Sequence, residues 1–397
     1  MIGALCRRML SNHDLRLVAK FAYRFGWQGM RAVSRFRRRM KRGETFPAFT
    51  FLSITNACNL RCQGCWVTPT SPPRHLGVEV CNHIIDAGRG RGCFFYGLLG
   101  GEPLMHPNLL DIIAAHPDCY FQVFSNGTLI DADIAREFRR LGNVTPLISI
   151  EGSETVSDVR RGGHEVYSRT LEGLERCREQ RLITGVACSI CQSNLADLAS
   201  ESFIESLLLR GIAYLWYYIY RPVGPRPSPE LALTLDQVVA LRRFLVDARC
   251  RYPLAMVDAY WDAEGRALCP AATGISHHIN PFGDIEPCPI IQFACDRLAA
   301  SSDVVATFQE SDFLERFRCM ATARTRGCIL LEDPALLADF VVRSGARDSS
   351  GRGTAFEELS TSCPRVSHNM GGREIPEKHW FYRFAKKHWF FGFGAYG

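Results

Sequence analysis

No run of eighteen uncharged apolar residues occurs in the sequence, which removes the simplest basis for a membrane-spanning helix. The N-terminus carries basic residues but no clean apolar core followed by a small-residue cleavage site, so export is not expected and the cytoplasm is the expected compartment. Internal repeats are absent, and with 47% hydrophobic and 22% charged residues among 397 the chain lacks the composition of a disordered one. That supply of apolar residues builds one large core or two smaller ones, the ordinary size of a catalytic domain with an appendage. Acidic charge is scarce at one end only. Residues 1–46 hold twelve Lys and Arg against Asp14 and Glu44, or +10, leaving −4 for the rest of a chain whose formal net charge is +6. No recognition motif accompanies this charge, so nucleic acid is not an expected partner. Leu10, Leu17, Val18, Phe21, Phe25 and Met30 lie between the cations. The segment reads as a basic amphipathic helical arm, either packed on a protein flank or docked to an acidic partner or the inner face of an anionic membrane.

What the sequence has in excess is cysteine, seventeen in all. A reducing compartment keeps thiols free, so a disulfide framework is not the expected use, and metal or cluster binding leads. Cys6, Cys81, Cys177 and Cys250 fall in helix-like stretches and are expected to behave as small buried hydrophobes.

From residue 49 short β-branched or aromatic runs alternate with amphipathic stretches, the pattern of βα units around a parallel sheet. Six strands are expected at Phe49–Asn56, Cys93–Leu99, Cys119–Ser125, Val144–Ile150, Ile183–Cys191 and Ile212–Tyr220. Helices are expected between them at Val78–Arg89, Pro107–Ala115, Asp131–Leu141, Glu165–Gln180 and Leu195–Leu209. Gly142 and Gly211 stand where helices should end. A Pro-rich break at Arg221–Pro229 precedes a helix-like stretch from Leu235 to Cys250, and Arg343–Gly353 reads as a flexible connection. Nine aromatics crowd Trp380–Gly397, a tail that either packs on the protein or lies at a membrane interface.

Three thiols stand in Cys58-Asn-Leu-Arg-Cys62-Gln-Gly-Cys65, directly after the first expected strand. Three cysteines satisfy three irons of a [4Fe–4S] unit and leave the fourth open, whereas a structural zinc site closes with four protein ligands. A zinc reading needs a fourth ligand, and the nearest, His75, lies ten residues on beyond a Pro-rich stretch. Over Phe49–Tyr220 the sequence resembles the radical S-adenosylmethionine superfamily, whose hallmark is three cysteines at this spacing after the first strand of a partial (β/α)6 TIM-like barrel. The resemblance implies that the open iron binds S-adenosylmethionine and that an electron splits its sulfonium C–S bond, giving methionine and a 5′-deoxyadenosyl radical that abstracts hydrogen from substrate. Cys58, Cys62 and Cys65 would then be both metal ligands and catalytic residues. It implies further contacts at successive strand ends, where parallel barrels collect their chemistry. Gly100, Gly101, Glu102 and Pro103 match the segment receiving the cofactor's amino group. Ser125 and Asn126 match the ribose turn, and Ser149, Glu151, Arg160 and Arg161 match ribose contacts and a cation for the carboxylate. Ser189 and Asn194 are lesser candidates on the same logic. The family often has an aromatic before the third cysteine; this chain has Gly64 there and Trp66 immediately after it.

Beyond the Pro-rich break stand Cys269, Cys288, Cys295, Cys319, Cys328 and Cys363. Gly283, five before Cys288, suggests a hairpin that returns one thiolate beside another. This spacing resembles the opening of the SPASM and twitch extensions of radical S-adenosylmethionine enzymes, without their dense downstream run of four cysteines. The resemblance implies one auxiliary [4Fe–4S] cluster on Cys269, Cys288, Cys319 and Cys328, with Cys295 or Cys363 as replacements; a zinc or purely structural site is the competing reading. His277 and His278 are expected at the surface.

The expected organisation is therefore an arm at 1–46, the α/β partial barrel at 47–225, a linking helix and cysteine-rich extension at 226–335, and a linker with the aromatic tail at 336–397. A flavodoxin or ferredoxin is the expected electron donor. The substrate is a peptide or small metabolite, or a lipid if the arm and tail meet a membrane. An iron–sulfur scaffold or redox sensor without turnover is the reading from another class. Tyr217, Tyr218 and Cys191 are the residues that strand position offers for quenching a substrate radical.

Overall fold

The computed structural model describes residues 1–389. Six strands arise where aromatic and β-branched residues run together and both sheet faces are covered: β1 (Phe49–Thr55), β2 (Phe95–Gly100), β3 (Tyr120–Ser125), β4 (Val144–Ser149), β5 (Gly185–Ile190) and β6 (Tyr214–Ile219). Each is parallel to the next, in sequence order. Helices cover the outside, among them Val78–Gly90, Leu109–Ala115, Ala132–Leu141, Val166–Glu179 and Glu201–Leu209. Gly142 and Gly211 adopt the positive φ that ends a helix. The expected single helix Leu195–Leu209 is two, because the Ser200 hydroxyl accepts from the Phe203 amide and starts a new one.

This sheet is open, and both of its edges are extended by strands too short for a sequence pattern to reveal. β7 (Ala255–Val257) pairs parallel to β6, β8 (Ser276–Ile279) pairs parallel to β1, and β9 (Ile285–Glu286) returns antiparallel to β8. Gly283, at φ 86°, turns that hairpin. His277 and His278 are therefore buried rather than superficial. His278 Nε2 lies 2.7 Å from the Ser53 hydroxyl and Nδ1 lies 2.6 Å from Glu286, which ties the hairpin to β1. His277, on the other face, stacks on Phe308.

Residues 343–353 are not a flexible connection. They include β11 (Arg347–Asp348), antiparallel to β10 (Phe293–Ala294), and several of their polar side chains are committed. Arg347 pairs with Asp284, Arg352 with Glu358, and the Ser349 hydroxyl donates to Glu286.

The basic arm packs along the barrel. Leu17, Phe25, Ala32, Val33 and Phe36 are buried, and Phe25 meets Phe95 edge-on. Several of its cations face the carbonyl ends of helices, where positive charge is favoured. Arg16 and Lys20 donate to carbonyls of residues 139–141, and Arg8 to those of Leu208 and Pro253. The described part of the aromatic tail, helix Trp380–His388 and Trp389, docks too. Buried Lys386 pairs with Asp258 at 2.8 Å, within a cluster joined by Arg242, Arg249 and Glu377, and Trp389 donates to the Phe25 carbonyl. Residues 390–397 of the tail lie outside the described residues. No helix among the described residues is long and apolar enough to cross a membrane. Of the four cysteines expected in hydrophobic positions, Cys81 and Cys177 are buried, but Cys6 and Cys250 ride on exposed helix faces.

Candidate active site

The cysteine loop leaves the C-terminal end of β1, as a barrel requires. Gly100 and Gly101 end β2 against it: a Cβ on Gly101 would stand 2.2 Å from the Ala57 carbonyl oxygen, and one on Gly100 2.3 Å from that of Thr55. What the two glycines permit is thus close packing of backbone on backbone. The Gly101 amide donates to Thr55 and the Glu102 amide to Ala57, fixing the root of the loop.

Glu102 was expected as a cofactor contact, yet its side chain is fully enclosed and spoken for. It accepts from the Ser125 hydroxyl at 2.9 Å and from the amides of Asn126 and Leu104 at 2.8 and 3.1 Å. Burial pushes its carboxyl up to about 7, against those three bonds. Asn126 in turn donates to Asn59 within the cysteine loop, at 2.8 Å. Glu102 therefore binds the turn after β3 to the cysteine loop, and the adjacent Pro103 is buried at the start of a short helical turn.

Cys58, Cys62, Cys65, Gly100, Gly101, Ser125, Asn126, Ser149 and Arg161 line a cavity of about 220 Å³. Burial lifts the Cys58 thiol to about 11 and Cys65 to about 12, so their ionisation at neutral pH calls for a metal, which deprotonates a bound thiol outright. Arg161 lies 3.8 Å from the Cys62 sulfur and 2.5 Å from the buried Glu151 carboxylate. Burial raises Glu151, with Arg161 and Arg160 opposing the shift. Glu151 also accepts from the Ser189 amide at 3.1 Å and from Asn194 at 3.4 Å, so those two residues hold the carboxylate in place. Arg160 lies over the Tyr220 ring at 5.2 Å. Tyr220 fills the space a side chain at position 64 would need: a Cβ on Gly64, at φ 66°, would stand 2.1 Å from its hydroxyl.

A larger chamber of about 370 Å³ shares Cys62, Cys65, Ser149 and Arg161 with this cavity and continues to Cys269, Cys288 and Cys328. The hairpin returns Cys288, Cys269 precedes helix Pro270–Thr273, and Cys328 precedes helix Ile329–Glu332. Cys319 does not join them; it is exposed on helix Asp312–Arg324, and Cys363 is exposed as well. Cys295 lies outside the chamber lining and donates to the Ser344 carbonyl. Among the described residues no three His, Cys, Asp or Glu side chains converge on one metal ion. A cubane cluster makes no such demand, since each thiolate binds a different iron.

The walls between the cysteine groups are apolar and aromatic: Phe49, Phe51, Phe124, Trp216 and Tyr218 line them. Of the three residues offered for radical quenching, only Tyr218 lines the chamber. Tyr217, one position away on β6, points outward and donates to the Leu198 carbonyl, and Cys191 belongs to a separate buried cluster. Trp216 and Arg221 escaped sequence reasoning, although the two-residue period of β6 puts Tyr214, Trp216 and Tyr218 on one face.

Residues 52–193 match the family model described as the Radical SAM superfamily. That stretch of the chain, and not the remainder, carries the likeness to this enzyme superfamily. It is similar to the AdoMet-dependent heme synthase of Methanosarcina barkeri (strain Fusaro / DSM 804), 28% identical over 45% of this chain and 52% of that one, so it spans about half of that relative's length. It is also similar to the sporulation killing factor maturation protein SkfB of Bacillus subtilis (strain 168), 24% identical over 76% of this chain and 74% of that one. Among solved structures, Streptococcus suis SuiB bound to S-adenosylmethionine shares the fold, with a TM-score of 0.61 at 15% identity over 71% of this chain and 70% of that one.

Proposed function

We propose that the chain holds a [4Fe–4S] cluster on Cys58, Cys62 and Cys65 and splits S-adenosylmethionine there, acting on a peptide or small metabolite. The observation that carries this reading is three thiols on one wall of a cavity whose other walls are the ends of β2, β3 and β4. When bound, cluster and cofactor supply a 5′-deoxyadenosyl radical for hydrogen abstraction. The chain's own contribution is orientation. Gly100, Gly101, Ser125, Asn126 and Ser149 offer backbone and side-chain polar groups along the cavity, and Arg161, held by Glu151, sets a cation beside the Cys62 sulfur. Glu102 keeps the turn after β3 in register with the cysteine loop.

A second [4Fe–4S] cluster, of the twitch kind, has Cys269, Cys288 and Cys328 as its protein ligands in this reading, with Cys319 left out. Burial raises Cys269 to about 11 and Cys288 higher still, and the thiols raise one another, which places their sulfurs close together. The lipid alternative is the less favoured, because Arg8, Arg16 and Lys20 of the arm and Lys386 of the tail are engaged with the rest of the protein.

The deciding experiment is anaerobic reconstitution with iron and sulfide, followed by S-adenosylmethionine and a reductant. Roughly eight irons per chain and release of 5′-deoxyadenosine are expected. Iron incorporation without deoxyadenosine would leave a scaffold or redox sensor instead.

A further inference from the structure

Among the described residues, two arginines that line the chamber, Arg160 and Arg221, have no carboxylate within ion-pair distance, and Arg160 is turned onto Tyr220 and the Gln63 carbonyl. Arg221 follows β6 directly, at the strand end where barrel chemistry gathers, and lines the chamber together with Cys269, Cys288 and Cys328. Its Nη1 donates to the Ile219 carbonyl at 3.1 Å and to the Tyr260 hydroxyl at 3.2 Å, and its guanidinium lies over the Tyr260 ring at 4.9 Å. These contacts fix the plane of the group, and its nearby negative partners, when ionised, are the Tyr260 hydroxyl and the Cys328 and Cys288 sulfurs rather than a carboxylate. Nε is buried with no partner. Among the described residues no carboxylate pairs with Arg221, whereas Arg161, Arg242 and Arg249 are each within ion-pair distance of one.

An arginine held rigid and left unpaired beside a cavity is a recognition element for a planar anion, because its fork of N–H donors matches a carboxylate. Burying a charge is costly unless it is paired, so an anionic ligand on the guanidinium edge turned away from the Cys288 and Cys328 sulfurs would be favoured. A second polar group points the same way. The Tyr218 hydroxyl lines the chamber, is buried and has no hydrogen-bond partner. Tyr218 stacks on Trp216 at 5.2 Å, and Phe124 packs beside both rings. The chamber thus joins an aromatic wall to a buried hydroxyl and to a guanidinium whose Nε has no partner among the described residues.

We infer that the substrate carries a carboxylate bound by Arg221, next to an apolar or aromatic group that lies on the Phe124, Trp216 and Tyr218 wall. The inference deepens the proposed function and rests on its placing the substrate in this chamber. Arg221 is then a specificity-determining residue: it selects acids over their neutral isosteres and sets which end of the molecule faces Cys58, Cys62 and Cys65.

The test uses reconstituted protein and two probes of equal shape, N-acetylphenylalanine and N-acetylphenylalaninamide, titrated by ligand-observed NMR. The acid is expected to bind at least about tenfold more tightly than the amide, the factor one charge-assisted contact provides. Arg221→Gln should bring the ratio to about one, and Arg221→Lys, which keeps the charge but loses the fork, should leave an intermediate ratio. Equal affinities in the unaltered protein would overturn the inference without any variant. So would an acid preference that survives Arg221→Gln, or a variant that changes only the midpoint potential of the second cluster, since Arg221 would then serve that cluster's charge. A protein that prefers the acid yet releases no deoxyadenosine would sink the proposed reaction and leave this inference standing.

Discussion

The two cysteine groups at either end of the chamber are assembled in opposite ways. Cys58, Cys62 and Cys65 come from one loop of eight residues, anchored by glycines and by the Glu102 carboxylate. Cys269, Cys288 and Cys328 come from three segments that meet only because β8 and β9 form a hairpin and two short helices begin at cysteines. A ligand set in one turn survives changes elsewhere in the fold, whereas a set spread over sixty residues depends on the whole extension. The charges differ as well. The first group has Arg161 with its carboxylate, and the second has Arg221, without one among the described residues.

Alanine substitutions should separate the two groups most sharply. Replacing Cys58, Cys62 and Cys65 together should abolish deoxyadenosine release while retaining about four irons, whereas replacing Cys269, Cys288 and Cys328 should also leave about four but preserve deoxyadenosine release. Iron counting and chromatography read both. If the second triple variant kept all its iron, the three thiols would not be ligands.

Next in size is the buried pair behind the first group. Arg161→Met leaves the Glu151 carboxylate uncompensated and should cost about 3–5 kcal/mol in denaturant unfolding. A loss under 1 kcal/mol would mean the pair is dispensable to the fold.

Glu102 gives a pH signature. Its folded-state value near 7 lies above the ordinary 4.5, so the folded protein holds the proton more tightly than the unfolded chain. Its contribution to stability is full below pH 4.5 and fades as pH rises through 7, by roughly 3 kcal/mol in all. Glu102→Gln should flatten that part of the stability profile, measured by thermal melts at fixed ionic strength. An unchanged slope would show that the carboxyl is not the group responsible.

The smallest effect is expected at Cys319, exposed and apart from the chamber. Cys319→Ser should leave the iron content unchanged and shift stability by no more than about 0.5 kcal/mol. Loss of iron would restore Cys319 to the ligand set.

Much of this molecule is set by local sequence. The six parallel strands stand out because buried parallel strands are nearly continuous apolar runs, and the first cysteine group because its thiols are neighbours in the chain. Residues 343–353 misled for the same local reason: Gly, Ser and Arg suggest a linker until Asp284, Glu286 and Glu358, distant or merely adjacent, engage them. His277 and His278 misled because a four-residue strand at a sheet edge has too few positions to show a period.

The chain order alone thus determined the six parallel βα units and the cysteine loop, since both depend on residues a few positions apart. Tertiary structure alone decided that Cys288 and Cys328 share a chamber while Cys319 does not, and that Tyr220 fills the space beside Gly64. It also decided that Arg161 has a carboxylate and that Arg221 has none among the described residues. Those outcomes turn on burial and on partners brought together from afar, which no spacing of residues along a chain encodes.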